Sequence, residues 1–152
     1  MNRPMYLCID FDDTLFIRDS WRHFEGRPNE PIVKLVKTLQ NRNWKIILWT
    51  SRNGDALKEA VQWCKDQGVR LDYINENPEA IEWFRDHLGF TNSAWSNKAF
   101  ADVYIDDSAF NPNLFFHPNE ESLTTEETVE LLESFSEDRY QKKVLCKKEK
   151  DK

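Results

Sequence analysis

The stretch Met5–Thr14, MYLCIDFDDT, decides how the rest of the sequence is interpreted. Its first part, Met5–Ile9, is a continuous apolar run, which is typical of a strand buried on both faces of a parallel sheet. Its second part, Asp10–Thr14, places three carboxylates and a hydroxyl directly after that strand. Ligands of parallel sheets bind beyond the carboxyl ends of the strands, so we expect this polar part to lie in a functional site.

Short apolar runs alternate with amphipathic stretches along the rest of the chain. Further strands are predicted over Lys45–Trp49, Leu71–Ile74, Ala101–Ile105 and Leu114–Phe116. Helices are predicted over Asn29–Gln40, with Asn29 as its cap, over Asp55–Gln67 and Pro78–His87, and from the capping box at Thr124 onward. Strands and helices in alternation form right-handed βαβ units. We therefore expect an α/β fold, a three-layer α/β/α sandwich around a mostly parallel, Rossmann-like sheet.

Two later strands also end in polar side chains. These side chains are Thr50, Ser51 and Arg52 after Lys45–Trp49, and Asp106 and Asp107 after Ala101–Ile105. Parallel strands bring them to the edge that holds Asp10 and Asp12. Carboxylates that lie close together raise each other's pKa, and a bound divalent cation relieves their repulsion. Oxygen ligands favour Mg²⁺, and the sequence offers no His or Cys cluster for zinc.

A magnesium ion beside a carboxylate nucleophile suits phosphoryl transfer, because the ion offsets the repulsion between two anions. Thr50 or Ser51, together with Lys98, would then hold the remaining phosphate oxygens. Asp clusters after strands also occur as helix caps and turns. The apolar strand before the cluster, the later hydroxyl and the final Lys and Asp-Asp favour the catalytic interpretation.

This set of motifs resembles the haloacid dehalogenase (HAD) superfamily, whose four motifs occur in the same order. The resemblance implies that Asp10 is the nucleophile and forms an aspartyl-phosphate. It implies that Asp12 is the general acid and base, and that its backbone carbonyl binds Mg²⁺. Thr50 would hydrogen-bond the phosphoryl group, and Lys98 would neutralise the phosphate and the nucleophile. Many relatives have Gly at the position of Asp13. The aspartate of this chain adds negative charge near the entrance of the site.

The same resemblance implies a metal site made by Asp10, Asp12, Asp106 and Asp107, the last acting directly or through water. The segments ILWTSR (47–52), EAVQWC (59–64) and KAFADVYIDD (98–107) are similar to small capless HAD proteins of bacteria and phages. A capless core leaves the site open, and open sites in this superfamily often accept large substrates or rely on a homo-oligomer for cover.

The chain is too short for a large cap domain between its motifs. We expect a catalytic domain over residues 1–136, with a short flap over 16–27, and a basic, flexible tail over 137–152. The flap contains Trp21 and Arg22, which could stack on a base and grip a second phosphate. The alternative is that its aromatic side chains only pin the flap to the body while its arginines stay solvated.

Composition restricts the function further. The 152 residues carry a net charge of −6, so a long nucleic acid is a poor partner. No apolar run is long enough to span a membrane and no secretory signal region precedes Asp10, so we expect a cytoplasmic protein.

The sequence predicts a Mg²⁺-dependent phosphomonoester hydrolase acting on a small, nucleotide-like phosphorylated compound. We expect Thr50, Ser51, Arg52, Lys98, Trp21 and Arg22 to bind that substrate. The main alternative is a protein that captures such a ligand with little or no turnover. A partner-binding module is a third alternative, without a specific motif in its favour.

Overall fold

A computed structural model describes residues 3–19, 25–89 and 98–109 of the chain. The elements in chain order are β1 (Tyr6–Asp10), β2 (Phe16–Arg18), β3 (Gly26–Pro28), α1 (Glu30–Asn41), β4 (Lys45–Trp49), α2 (Gly54–Asp66), β5 (Tyr73–Ile74), α3 (Pro78–Leu88) and β6 (Val103–Ile105). The predicted strand Leu114–Phe116, the helix after Thr124 and the tail over 137–152 lie outside the described residues.

Strand β1 lies in the interior of a parallel four-stranded sheet with the order β5-β4-β1-β6. It pairs with β4 over its whole length, and on its other side Ile9 is the partner of Ile105 in β6. The first four residues of β1 are buried. Four residues of the apolar run, Tyr6 to Ile9, thus lie in the predicted interior strand, whereas Met5 precedes it and is exposed. The α/β fold with a mostly parallel sheet is confirmed.

Alternate residues of β1 belong to two different core clusters, because successive side chains of a strand point to opposite faces. Leu7 and Ile9 pack with buried residues of α1 and α2, among them Val36 and Cys64. Another cluster contains Tyr6, Cys8, Ile47, Ala80, Ala99 and Ala101. Cys8 and Cys64 are buried free thiols.

An aspartate side chain takes the place of a backbone carbonyl at the start of two strand pairings. The Asp102 carboxylate accepts a hydrogen bond from the Tyr6 N–H, and the Asp72 carboxylate accepts one from the Ile46 N–H, both at 2.8 Å. Regular pairing begins only after each aspartate. This is why the two predicted strands shorten to β5 and β6.

The two ends of the predicted flap pair with each other as the strands of a β-hairpin. Strands β2 and β3 pair antiparallel, with Phe16 opposite Pro28 and Arg18 opposite Gly26. A Cβ atom at Gly26 would collide with the backbone oxygen of Ile17, so only glycine fits there without a shift. Among the described residues, no inserted cap domain separates the elements.

The three helices of the described residues begin and end within one residue of their predicted bounds. Asn29 is the N-cap residue of α1, as predicted, but its side chain makes no capping hydrogen bond to the helix. Its Nδ2 instead donates to the Thr14 carbonyl at 2.9 Å, and its N–H donates to the Leu15 carbonyl at 2.9 Å. Asn29 therefore joins the start of α1 to the turn after β1. In the described part of the chain, no helix is both long and apolar enough to cross a bilayer.

Candidate functional site

Three carboxylates meet at the carboxyl end of the sheet. Asp10 is the last residue of β1, and Asp106 and Asp107 directly follow β6. Because β1 and β6 are parallel neighbours, their ends reach the same edge. One carboxylate oxygen from each of the three residues lies within 4.8 Å of the other two. All three residues are half-buried.

The charge of Asp10 is destabilised in this arrangement. Its pKa is raised from 3.8 to about 7, mainly by burial and next by the negative charge of Asp106, with a smaller contribution from Asp107. A hydrogen bond from Thr14 opposes this shift. The donor set consists of oxygen atoms alone, which is the chemistry that a hard divalent cation such as Mg²⁺ selects. The three carboxylates therefore fit the predicted ion.

Thr14 joins two of these carboxylate residues, a role that the sequence analysis missed. Its hydroxyl donates to Asp10 Oδ2 at 3.0 Å and accepts a hydrogen bond from the Asp107 N–H at 3.0 Å. Thr14 is 5% exposed, so this bridge is shielded from water. In the turn that contains Thr14, three successive N–H groups, those of Thr14, Leu15 and Phe16, donate to the Phe11 carbonyl. The available signal was the Asp-x-Asp-x-Thr spacing directly after a buried strand.

The Asp12 side chain is engaged by arginines and is not part of the metal-compatible group. Arg52 Nε donates to Asp12 Oδ2 at 2.8 Å, and Arg52 Nη2 donates to Asp12 Oδ1 at 2.6 Å. Arg18 Nε lies 3.6 Å from Asp12 Oδ1. The Arg52 guanidinium also lies 5.0 Å from the centre of the Phe11 ring. Arg52 was expected to bind the substrate, and Arg18 belongs to the flap whose arginines were expected either to grip a second phosphate or to stay solvated. The pairing of both with Asp12 was not expected, because two charged residues far apart in sequence give no sign that they pair.

Arg18 ties the hairpin to the turn after β1. Its guanidinium donates to Asp13 Oδ2 through Nε and Nη2, and its N–H donates to Asp13 Oδ1 at 3.3 Å. Asp13 adopts a left-handed conformation with φ of 61°, which an aspartate tolerates better than most residues. The extra charge expected at position 13 is thus bound by the hairpin arginine.

The loop after β4 is held by Asn75. The Thr50 N–H donates to Asn75 Oδ1 and Asn75 Nδ2 donates to the Thr50 carbonyl, both at 2.8 Å. The Thr50 hydroxyl accepts a hydrogen bond from the Arg52 N–H at 3.2 Å, and Ser51 is exposed. Thr50 and Arg52 are therefore placed by one local network.

Lys98 lies on the Cys8 side of the sheet. Its Nζ is 4.9 Å from the centre of the Tyr104 ring, and its charge opposes the rise that burial causes in the pKa of the Cys8 thiol. Cys8 and Asp10 are two residues apart in β1 and share one face of it. Trp21 and Arg22 lie outside the described residues.

Comparison with solved structures supports the fold. The chain is similar to a conserved protein from Bacteroides thetaiotaomicron, with 27% identity over 90% of this chain and 93% of that chain and a TM-score of 0.52. A hypothetical protein from Xanthomonas campestris is 18% identical over 73% of this chain and 57% of that chain, with a TM-score of 0.37. Neither models of protein families nor curated proteins gave a match. The Bacteroides likeness supports the α/β fold and carries no statement about function.

Proposed function

We propose that the chain is a Mg²⁺-dependent phosphomonoester hydrolase of the HAD superfamily that acts through an aspartyl-phosphate on Asp10. The observation that carries this proposal is the convergence of Asp10, Asp106 and Asp107 at the carboxyl ends of two neighbouring parallel strands. A half-buried carboxylate beside two others needs a cation to be an effective anion at neutral pH. A nucleophile in reactions of phosphate esters needs the same charge compensation.

The proposed core is a three-layer α/β/α sandwich. The two clusters on either side of β1 support it, since one includes residues of α1 and α2 and the other includes Ala80 of α3. The order of the acidic, hydroxyl, lysine and acidic-pair motifs along the strands supports membership of the superfamily. The hairpin over the described ends of the flap supports an open, capless site.

Each step of the proposed reaction has a residue of the chain to perform it. An oxygen of Asp10 attacks phosphorus, the bond to the leaving oxygen breaks, and Asp12 gives its proton to that oxygen. Asp12 then takes a proton from a water molecule, whose oxygen attacks the phosphorus and releases Asp10 as a carboxylate. Bound Mg²⁺ would offset the negative charges of the nucleophile and the phosphate.

Other residues position these groups. Thr14 fixes the orientation of the Asp10 carboxylate through its hydrogen bond to Oδ2. Thr50 and Lys98 are proposed to bind phosphate oxygens. The proposed substrate is a small phosphorylated compound, nucleotide-like by preference, since the net charge of −6 disfavours a long polyanion.

Phosphate release from a panel of phosphomonoesters tests the proposal. The panel contains an aryl phosphate, nucleoside monophosphates, sugar phosphates and phosphorylated oligonucleotide ends, each with Mg²⁺ and with excess EDTA. We expect release that EDTA stops and Mg²⁺ restores, and a loss of at least about a thousandfold in Asp10→Asn, since nucleophile removal is among the most costly changes an enzyme can suffer.

Asp55→Asn is the matched control, because the Asp55 side chain is 91% exposed and its ion pair with Lys58 lies on the surface, away from the carboxylate cluster. It should keep full activity. Release that persists in EDTA, or near-normal activity of a clean Asp10→Asn preparation, would overturn the proposal. Mg²⁺-dependent binding of a panel compound without any release would favour ligand capture instead.

A further inference from the structure

Two arginines from different parts of the fold converge on Asp12. Arg52 comes from the loop after β4 and binds both oxygens of the Asp12 carboxylate. Arg18 comes from the hairpin strand β2 and reaches the same carboxylate at 3.6 Å. The Arg52 side chain is only 13% exposed and that of Arg18 only 24%. We call Arg18 and Arg52 the guanidinium pair.

The contact between Arg52 and Asp12 conflicts with the acid and base role proposed for Asp12. Both carboxylate oxygens face the Arg52 fork, whereas proton transfer to a leaving group needs one of them to face the substrate. A group that takes the place of Asp12 on Arg52 would free Asp12 to turn toward the substrate. Because a guanidinium binds planar oxyanions through two parallel hydrogen bonds, another oxyanion is the natural competitor.

From this geometry we propose, building on the proposed function, that the substrate carries a second anionic group that the guanidinium pair binds in place of Asp12. The second group is a phosphate or a carboxylate on the same small molecule, separate from the phosphoryl group that is hydrolysed. Substrates whose only anionic group is the phosphoryl group leave Arg52 bound to Asp12 and react more slowly. The guanidinium pair thus couples recognition of the substrate to the position of the acid and base.

Arg52 and Arg18 have supports that remain when Asp12 is released. The Arg52 guanidinium lies over the Phe11 ring, which is fully buried and stacks on Phe16 with ring centres 5.3 Å apart. Arg18 is held by Asp13 through its guanidinium and its N–H. Both cations therefore stay in place for a new anion, which limits the conformational entropy that binding costs.

Binding of non-hydrolysable compounds tests this inference without turnover. The probes are methylphosphonate, with one anionic group, a series of alkane bisphosphonates of increasing length, and a matching series of phosphonocarboxylates. Calorimetry with Mg²⁺ at a fixed free concentration is expected to show at least one two-anion probe binding about tenfold or more tightly than methylphosphonate. The better series identifies the second group as phosphate or carboxylate.

Variants separate the guanidinium pair from the metal site. Arg52→Gln is expected to make the affinities for two-anion and one-anion probes nearly equal. Arg52→Lys is expected to keep only part of the preference for two anions, because lysine lacks the planar fork. Arg70→Gln is the control, since Arg70 pairs with Asp72 at the opposite edge of the sheet, and it should keep the full preference. Arg18→Gln is the second variant, used if Arg52→Gln fails to fold, and it is expected to weaken the preference for two anions.

An activity comparison gives an independent measure. We expect kcat/KM for 3-phosphoglycerate to exceed that for glycerol 3-phosphate, or a bisphosphate to exceed its monophosphate, by about tenfold in the wild type and by far less in Arg52→Gln.

Equal binding of one-anion and two-anion probes, or a preference that survives in Arg52→Gln, would overturn the inference and leave the proposed function standing. Failure of the proposed function is a different result, in which no phosphonate binds with Mg²⁺ and no monoester is hydrolysed.

Discussion

Raising the pH of the metal-free protein should weaken its fold through Asp10. The pKa of Asp10 is about 7 in the folded protein and has its ordinary value of 3.8 in an unfolded chain. Between these values the folded state holds a proton that the unfolded state has lost. The contribution of Asp10 to stability is therefore full below about pH 4 and is lost as the pH rises through about 7.

The size of the effect follows from the same numbers. At 1.36 kcal/mol per pKa unit, the difference sets a ceiling of about 4 kcal/mol. Asp10 is only half-buried, so solvent screening reduces this value, and we expect about 1–2 kcal/mol. Asp10→Asn removes the charge and keeps an oxygen that can accept the hydrogen bond from Thr14. The variant should therefore be more stable than the wild type by about 1–2 kcal/mol at pH 8 and about equal to it near pH 4.

Urea unfolding in EDTA, followed by tryptophan fluorescence, measures this difference at several pH values. Asp55→Asn is the control, because its side chain is 91% exposed and lies outside the carboxylate cluster. Added Mg²⁺ should stabilise the wild type more than Asp10→Asn at pH 8. A difference between Asp10→Asn and the wild type that is the same at pH 4 and pH 8 would refute the reasoning.

Two further substitutions test contacts around the site. Thr14→Val should lower the affinity for Mg²⁺ and kcat and destabilise the fold by about 1–3 kcal/mol, because the Asp107 N–H loses its acceptor, whereas Thr14→Ser should keep most of these properties. Isothermal titration with Mg²⁺, phosphate release and urea unfolding measure these effects, and an unchanged Thr14→Val would contradict the bridge. Gly26→Ala should cost about 1–3 kcal/mol, because its Cβ would meet the Ile17 carbonyl. Thermal unfolding compares it with Gly54→Ala, whose Cβ would meet no neighbour and whose cost comes from a positive φ of 51° alone, and an unchanged Gly26→Ala would contradict the collision.

The strands and helices that contain continuous apolar or amphipathic patterns were predictable from the sequence. Lys45–Trp49 forms a strand with the predicted bounds, and the meeting of Asp10 with Asp106 follows from parallel pairing alone. These features depend on hydrophobic periodicity and on one general property of parallel sheets. Short apolar runs therefore located both the sheet and the edge where its polar groups gather.

Contacts between polar side chains distant in sequence were not predictable. The hairpin strands contain three residues each and lack an Asn-Gly or Asp-Gly turn, so no local pattern indicates them. Asn29 has the residue type of a helix cap, but the Thr14 carbonyl competes successfully for its side chain. Arg52 likewise binds Asp12 because the fold brings them together, and residue types alone leave its partner open.

Strand β1 is synthesised before both of its neighbours in the sheet, which come much later in the chain. It pairs with β4 on one side and, on the other, with β6 near the far end of the described residues. Contacts between such distant segments must overcome loop-closure entropy before they return any stability. The three carboxylates therefore lie together only in molecules in which β1 and β6 have already joined. A divalent ion that binds there would bind only after β1 and β6 have paired, and it would stabilise the folded state relative to partly folded states.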